Sequence, residues 1–470
     1  MSGPTYSRTV KAPLTKIRES LAGAMTQSFW LDHPDKPAPL PPLATHEHSE
    51  LVVVGGGYSG LWTALLAKEA APSRSVILLE AHEMGWAASG RNGGFVEATL
   101  THGEANGQRH FPSDLEVLDA LGQENFDQLI KTVAKYSIDA DLEQSGMLTV
   151  ATDEYQLPEF TDSRIGEQLY DQKSIKQLVN SPVFLAGRLE HKGVALVNPA
   201  KLAWGLRRVC LELGVRIFEN TRATRLKDQG KTVRVETPDG SVSARRVALA
   251  TNAFPSLLQR TRALTVPIYD YALMTEPLTD HQLESSGWVD RFGITDSARQ
   301  FHYYRKTRDN RILFGGYDAV YHRGGKIRPE YDHRPETFEL LADHFFTTFP
   351  QLDVRFTHAW GGVIDMCTRL TAFQGKAWAG KVAYSAGFTG LGVASTRFGA
   401  QVMLDLLAGE NTQRTRMKAV VTKPVPIPPE PFANPLIQMM RGAIQRSDAN
   451  NGRDGLLIKT AETFGVGFDS

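Results

Sequence analysis

From Glu50 to Glu80 the chain reads ELVVVGGGYSGLWTALLAKEAAPSRSVILLE, an apolar run, three glycines, an amphipathic run and a second apolar run closed by an acid. Gly55, Gly57 and Gly60 have the spacing G-x-G-x-x-G. In that pattern the first glycine makes a tight turn, the second lets a pyrophosphate reach the backbone, and the third lets a helix pack closely on the preceding strand. Tyr58 and Ser59 open the helix, expected from about Tyr58 to Ala71, whose free N–H groups and positive dipole end would face the phosphates. Glu80 falls about 20 residues beyond the last glycine, where a carboxylate accepts hydrogen bonds from ribose hydroxyls, and Ala81 follows it. Glycine-rich turns alone say little. Strand, turn, helix, second strand and terminal acid together predict a dinucleotide site.

Two further glycine-rich stretches carry chemistry. AHEMGWAASGRNGGFVEATL sets Ser89, Gly90, Arg91, Asn92, Gly93 and Gly94 just after the second strand. Small residues there would let a ligand come close to the backbone, and Arg91 offers a fork of donors suited to phosphate or carbonyl oxygens. Near the end, VAYSAGFTGLGVASTRFGAQVMLDLL reads as a strand, a broken turn and a helix from about Val393 to Leu407, with Gly390, Leu391, Gly392 and Val393 at its start. A helix N-terminus at this point would stabilise a nearby negative charge.

The elements that must position these stretches belong to a large intracellular-type chain. At 470 residues two domains are expected, and 41% hydrophobic with 22% charged residues is a globular composition. Lys+Arg and Asp+Glu both number 52, which gives no basic field for nucleic acid or an anionic membrane. Two cysteines, Cys210 and Cys367, make neither a disulfide framework nor a zinc site. With no apolar run of membrane-spanning length and no signal-peptide pattern, the expectation is a cytoplasmic protein with no transmembrane segment.

These motifs, and SGRNGG above all, resemble the FAD-dependent amine and D-amino-acid oxidase (DAO) superfamily, in particular its gamma-glutamylputrescine oxidase-like and glycine/sarcosine oxidase-like branch. The resemblance implies an α/β (α+β) fold, a Rossmann-like FAD-binding domain with an interleaved antiparallel-sheet substrate domain. It divides the chain into an N-terminal extension (1–27), FAD-binding parts (28–110, 191–262 and 359–412), substrate-domain parts (111–190 and 263–358) and a C-terminal strap and helix (413–470). It adds Ala223, at the end of a strand beside adenine, Ala250 and Thr251 in ALATNA, and Gly362 in WGG to the cofactor contacts. Asn198-Pro199 starts the helix of the middle part. Tyr269, Tyr271, Tyr303, Arg305 and Trp360 are the substrate-pocket candidates. The closing GVGFDS also resembles the end of the gamma-glutamylputrescine oxidase-like subgroup. The first 27 residues, polar with scattered Lys and Arg, are expected to be a solvated tail.

What the resemblance implies about activity is oxidation of the CH–NH bond of an amine (polyamine-derived, secondary amine or amino acid). The hydride passes to flavin N5, the imine is hydrolysed, and the reduced FAD passes electrons to O2 or an acceptor partner. Three departures bear on this. The family's His in the last turn is Leu391 here. Arg369 and Ala372 stand near the acid and proline of the family's W-G-G-x-x-x-x-T-x-D-x-x-P segment. Ile364 occupies the position of the Arg that clamps a substrate carboxylate in glycine-oxidase-like members, which leans towards an amine without that group unless Arg305 or Arg369 substitutes. FAD is expected to be held non-covalently, although some members tether it through a Cys near the position of Cys367. An NAD(P)H-dependent flavin monooxygenase or reductase and a non-catalytic flavoprotein subunit are the alternatives. The first would show NADH bleaching the flavin without amine, the second a co-purifying partner.

Overall fold

The computed structural model describes residues 4–163 and 166–463, so GVGFDS lies outside the described residues. Its strands, in chain order, begin with β1 (His46–Val54), β2 (Val76–Leu79), β3 (Phe95–Glu97), β4 (Met147–Ala151), β5 (Glu167–Asp171), β6 (Ala186–Glu190), β7 (Val194–Leu196), β8 (Arg216–Phe218) and β9 (Arg225–Asp228). They continue with β10 (Val233–Glu236), β11 (Ser241–Leu249), β12 (Val266–Thr275), β13 (Gly293–Asp296), β14 (His302–Lys306), β15 (Ile312–Gly316), β16 (Phe356–Met366), β17 (Phe373–Ala377) and β18 (Val382–Ala386).

The first sheet has the order β17-β18-β11-β1-β2-β8, with β9 and β10 added as a hairpin beside β11. From β18 to β8 its main path is parallel, so the C-terminal ends of five strands gather on one side. The apolar run Leu51–Val54 is buried on both faces, as a central parallel strand requires. Helices Tyr58–Ala70, Pro199–Glu212 and Gly392–Ala408 cover one face and share a core through Leu61, Leu206 and Met403. Asn198 caps the middle helix through the Lys201 N–H, with Pro199 in its first turn, as its sequence predicts.

The second sheet has the order β16-β12-β15-β14-β13-β4-β6-β5 and is antiparallel except between β13 and β4. Its outer face packs on helix Pro335–Thr348 and is sealed: Leu148, Ile294, Tyr304, Phe314 and Leu273 are all at 0% exposure. Their alternate neighbours Met147, Thr149, Thr295, Tyr303 and Asp270 face the first sheet and remain partly exposed. One side of this sheet is core throughout, and the other is core around Ala272, Met274, Leu313 and Trp360 and partly open around Tyr303 and Asp270.

Two sequence expectations change here. β16 pairs along its length with β12, so the chain returns to the first sheet only after Met366, not at 359. The N-terminal extension is packed rather than solvated. Tyr6 and Ile17 are buried, the Tyr6 hydroxyl is 2.8 Å from that of Thr348, and Met25 bridges to His358. The physical reason is that Val10, Ile17 and Leu21 supply an apolar edge to the core that includes helix Pro335–Thr348, which the charged residues between them obscure in the sequence. No helix among the described residues is long and apolar enough to cross a membrane.

Candidate functional site

At the C-terminal end of β1, Gly55 has φ +112°, and a Cβ there would stand 2.3 Å from the Ala250 carbonyl oxygen. A Cβ on Gly60 would stand 1.8 Å from the Gly55 carbonyl, so this glycine sets how closely helix and strand pack. Gly57 differs. It opens helix Tyr58–Ala70 without a side-chain cap, and the one atom a Cβ would crowd is the Ser89 hydroxyl, at 2.9 Å. Ser89 accepts from the Tyr58 N–H, the Tyr58 phenol donates away to the Pro199 carbonyl, and the buried Ser59 hydroxyl has no partner. An uncapped helix end with an orphaned hydroxyl beside it suits an anionic oxygen.

Glu80 is fixed beside this turn. Gly56 N–H donates to one oxygen at 2.6 Å, and His82 N–H and the Trp86 indole donate to the other at 2.9 Å. Burial pushes its carboxyl up and these donors pull it back. A carboxylate accepts about four hydrogen bonds, so capacity remains for a ribose. Ala81, Ala223 and Thr251 are partly exposed, while Ala250 is buried and donates its N–H to the Val54 carbonyl.

The SGRNGG loop lies between the first sheet and the inner face of the second. Asn92 braces it, donating to the Ala88 and Ser89 carbonyls and accepting from the Gly94 N–H, and Gly90 is buried in it. A Cβ on Gly93 would meet the Tyr303 ring at 2.8 Å, and one on Gly94 (φ +78°) would meet the Val197 carbonyl at 2.2 Å. Arg91 points into protein, donating to the Trp86 and Gly361 carbonyls and pairing with Asp332. Its expected use for a phosphate or carbonyl is replaced by a tie between the two sheets, because Asp332 supplies the opposite charge.

At the far end of the cradle the turn from Gly387 to Gly392 has Gly390 at φ +94° with open space where a Cβ would stand. Helix Gly392–Ala408 begins at Leu391 with no side-chain cap, and Gly392 and Val393 form its first turn. Asp365 holds the turn, accepting from the Gly387 and Phe388 N–H groups at 2.5 and 3.1 Å, and burial pushes its carboxyl up to about 7. His102 donates to the Thr389 carbonyl and is pushed down to about 4 by burial, so it is neutral. Cys367 is buried with its thiol directed to the Thr371 carbonyl at 3.2 Å, and burial raises its pKa.

On the inner face of the second sheet, Tyr303 donates to Asp270 at 2.7 Å, and burial pushes Asp270 up to about 6. The Trp360 indole donates to the Arg91 carbonyl, and Gly362 faces the Arg91 side chain. Arg305 donates to the Val197 carbonyl at 2.6 Å and more weakly to those of Gly93 and Gly94, so it is a strut under the loop. Arg369 is buried among the carbonyls of Thr371, Ala372 and Ala419, where it ties down the C-terminal segment. Tyr269 and Tyr271 stand on the outer face, with their hydroxyls on the Arg328 and Tyr331 carbonyls. The structure brings Tyr303, Arg305 and Trp360 to the inner face and leaves these two tyrosines on the other.

The sequence reading passed over Asp270, Glu97, His102 and Asp365. Strand alternation could have found the first: in PIYDYALM, tyrosines that face a core put the aspartate between them on the opposite face. The cradle as a whole, with two uncapped helix ends, an orphaned serine hydroxyl and a fixed ribose-type carboxylate, fits a dinucleotide carrying a flat ring.

Comparisons with known proteins agree with this geometry. Residues 50–406 match the family described as DAO, FAD dependent oxidoreductase. The chain is 29% identical over 402 residues to gamma-glutamylputrescine oxidoreductase of Escherichia coli (strain K12), covering 82% of this chain and 89% of that protein. It is 26% identical over 409 residues, with the same coverage, to a probable oxidoreductase OrdL of Haemophilus influenzae. The crystal structure of glycine oxidase from Geobacillus kaustophilus superimposes with a TM-score of 0.61 at 16% identity, covering 78% of this chain and 96% of that one.

Proposed function

Because the chain belongs to the DAO family of FAD-dependent oxidoreductases, we propose that it oxidises the CH–NH bond of an amine that bears no carboxylate on the reacting carbon. FAD, when bound, supplies the two-electron acceptor that takes a hydride from that carbon. In this reading Gly55, Gly57, Ser59 and the first turn of helix Tyr58–Ala70 hold the pyrophosphate, and Glu80 and Ala81 hold the ribose. Ala223 borders the adenine. Ser89 to Gly94, Ala250, Thr251 and Gly362 line the rest of the cradle. The N–H groups from Gly390 to Val393 face the ring edge that becomes negative on reduction. Asp365 supports this by holding the turn in place, and neutral His102 adds no charge that would compete.

The observation that carries the choice of substrate is the state of the guanidinium groups. A small amino acid's carboxylate calls for a free, bidentate arginine. Arg369 is occupied by backbone carbonyls, Arg305 is tied to them through Nη1 with its Nε left unpartnered, Arg91 is taken by Asp332, and Ile364 presents no charge. The charged side chain on the open face of the second sheet beside Tyr303 is a carboxylate, Asp270. Its sign suits an amine. The relative in Escherichia coli is named for an amine of this kind, gamma-glutamylputrescine.

The test is anaerobic mixing of the holoenzyme with simple amines, γ-glutamylated amines, N-methyl amino acids and D-amino acids, read as loss of visible flavin absorbance. Amines without an α-carboxylate are expected to bleach the flavin fastest. Bleaching by α-amino acids alone would overturn the choice of substrate, and failure of every amine would overturn the activity. Admitting air to the bleached sample then separates O2 from a partner protein as the acceptor.

A further inference from the structure

β3 leaves the SGRNGG loop with Val96 in the core beneath the first sheet's helices, so its neighbours Phe95 and Glu97 point the other way. The Phe95 ring meets that of Tyr303 edge-on, with centroids 5.9 Å apart. Glu97 keeps part of its surface open, as do Tyr303 and Asp270, and alternation along β3 sets it on the side of Phe95, whose ring meets Tyr303. Among the described residues its carboxyl has neither a hydrogen bond nor an ion pair. The nearest charge acting on it is Glu190, of like sign, and burial followed by this repulsion pushes it up to about 7. A buried carboxyl without a partner is costly, and such groups concentrate where a ligand completes them. Asp270 is different, since the Tyr303 hydroxyl donates to it. The Phe95–Tyr303 contact joins the strand that bears Glu97 to the face that bears Asp270.

We propose that Glu97 is the specificity residue for a second, cationic group of the substrate, so that the amine oxidised is a diamine or polyamine. This rests on the amine-oxidising reading above. The nitrogen at the reacting carbon must be uncharged for hydride to leave, whereas a second amine at the far end of the chain stays an ammonium. Inside the protein that ammonium needs a counter-charge, and Glu97 is the carboxyl with nothing else to bind. Methylene groups between the two nitrogens suit the Phe95–Tyr303 pair, and aromatic faces also favour a nearby cation.

The experiment compares n-butylamine with putrescine, and n-hexylamine with hexamethylenediamine, on wild-type, Glu97→Gln and Glu97→Asp holoenzymes. It reads kcat/KM and, anaerobically with a non-reducing analogue, the Kd from the shift in the flavin spectrum. Wild type is expected to prefer each diamine to its monoamine by about ten- to a hundredfold, the size of a charge-assisted contact. Glu97→Gln should collapse that ratio towards one, and Glu97→Asp should keep most of it. Because the unpaired carboxyl is costly without ligand, Glu97→Gln should also raise the ligand-free Tm, which a merely structural role would not do. A diamine-to-monoamine ratio unchanged in Glu97→Gln would overturn the proposal, as would equal losses for both, which would make Glu97 a proton acceptor from the reacting ammonium. In both cases bleaching by monoamines would leave the amine reading standing. If no amine bleaches the wild-type flavin, it is that reading which fails.

Discussion

The two faces of the second sheet are built from the same strands and obey opposite rules. On the outer face Leu148, Ile294, Tyr304 and Phe314 have no exposed surface, and the aromatic rings of Tyr304, Phe314, Phe345 and Trp288 meet edge-on or stacked. On the inner face Ala272, Met274, Leu313 and Trp360 form a smaller buried cluster, while Thr149, Thr295, Tyr303 and Asp270 stay partly exposed. The outer face is optimised for packing. The inner face carries buried polar groups whose partners are few, and it holds them in place through the rigidity of the other side. Sealed and partly open residues here are separated by one residue of register.

The sharpest way to break this comparison is to remove one aromatic from each face. Tyr304→Ala empties a fully buried position between Phe314 and Phe184 and is expected to cost about 3–5 kcal/mol, read from chemical denaturation midpoints. Tyr303→Phe leaves no hole but strips Asp270 of its hydrogen bond, and should cost about 1–3 kcal/mol. It should also push Asp270 further up and slow flavin bleaching by amines, whereas Tyr304→Ala should act on stability without a specific effect on the diamine-to-monoamine ratio. A Tyr303→Phe variant as destabilised as Tyr304→Ala would mean that the inner face around Tyr303 is packed core after all.

How much of this was legible in the sequence follows from the length scale of each cause. The strand, turn and helix of the first motif were, since Gly55, Gly57, Gly60 and Glu80 sit in a local turn, a helix start and a strand end, and their spacing alone records them. The antiparallel second sheet and the helix starting at Asn198-Pro199 were legible for the same reason. The inner-face acids were not singled out. Glu97 reads as any polar residue after a glycine loop until the pairing of β3 with β7 turns it inward. Asp270 hid between two tyrosines that drew attention as aromatics. The packed N-terminal segment was missed because its partners, Thr348, Asp318 and His358, lie more than 300 residues away. Arg91 was read by its neighbours in sequence, while in the structure it pairs with Asp332, in the turn Pro329–Asp332 far along the chain.

The smallest expected effect is in pH, and it separates the faces most finely. Burial raises Asp270 to about 6, with Tyr303 pulling it back; among charges farther off, Asp318 raises it and His302 lowers it. An acid whose folded pKa is raised binds its proton more tightly in the folded chain, so its contribution falls as pH rises from about 4 to about 6 and is lost above that. Carboxylates held low by arginines, Glu143 and Asp318 among them, have the opposite sign and lose their contribution only as pH falls towards their lowered values. Asp270→Asn keeps an oxygen for the Tyr303 hydroxyl and removes the charge. It should therefore be more stable than wild type by about 1–3 kcal/mol near neutral pH, with the difference shrinking as pH falls below about 5. The check is the pair of denaturation midpoints measured across that range, for wild type and variant alike. A difference that does not change with pH would mean that Asp270 is satisfied as a carboxylate, and that the inner face carries no unmet charge there.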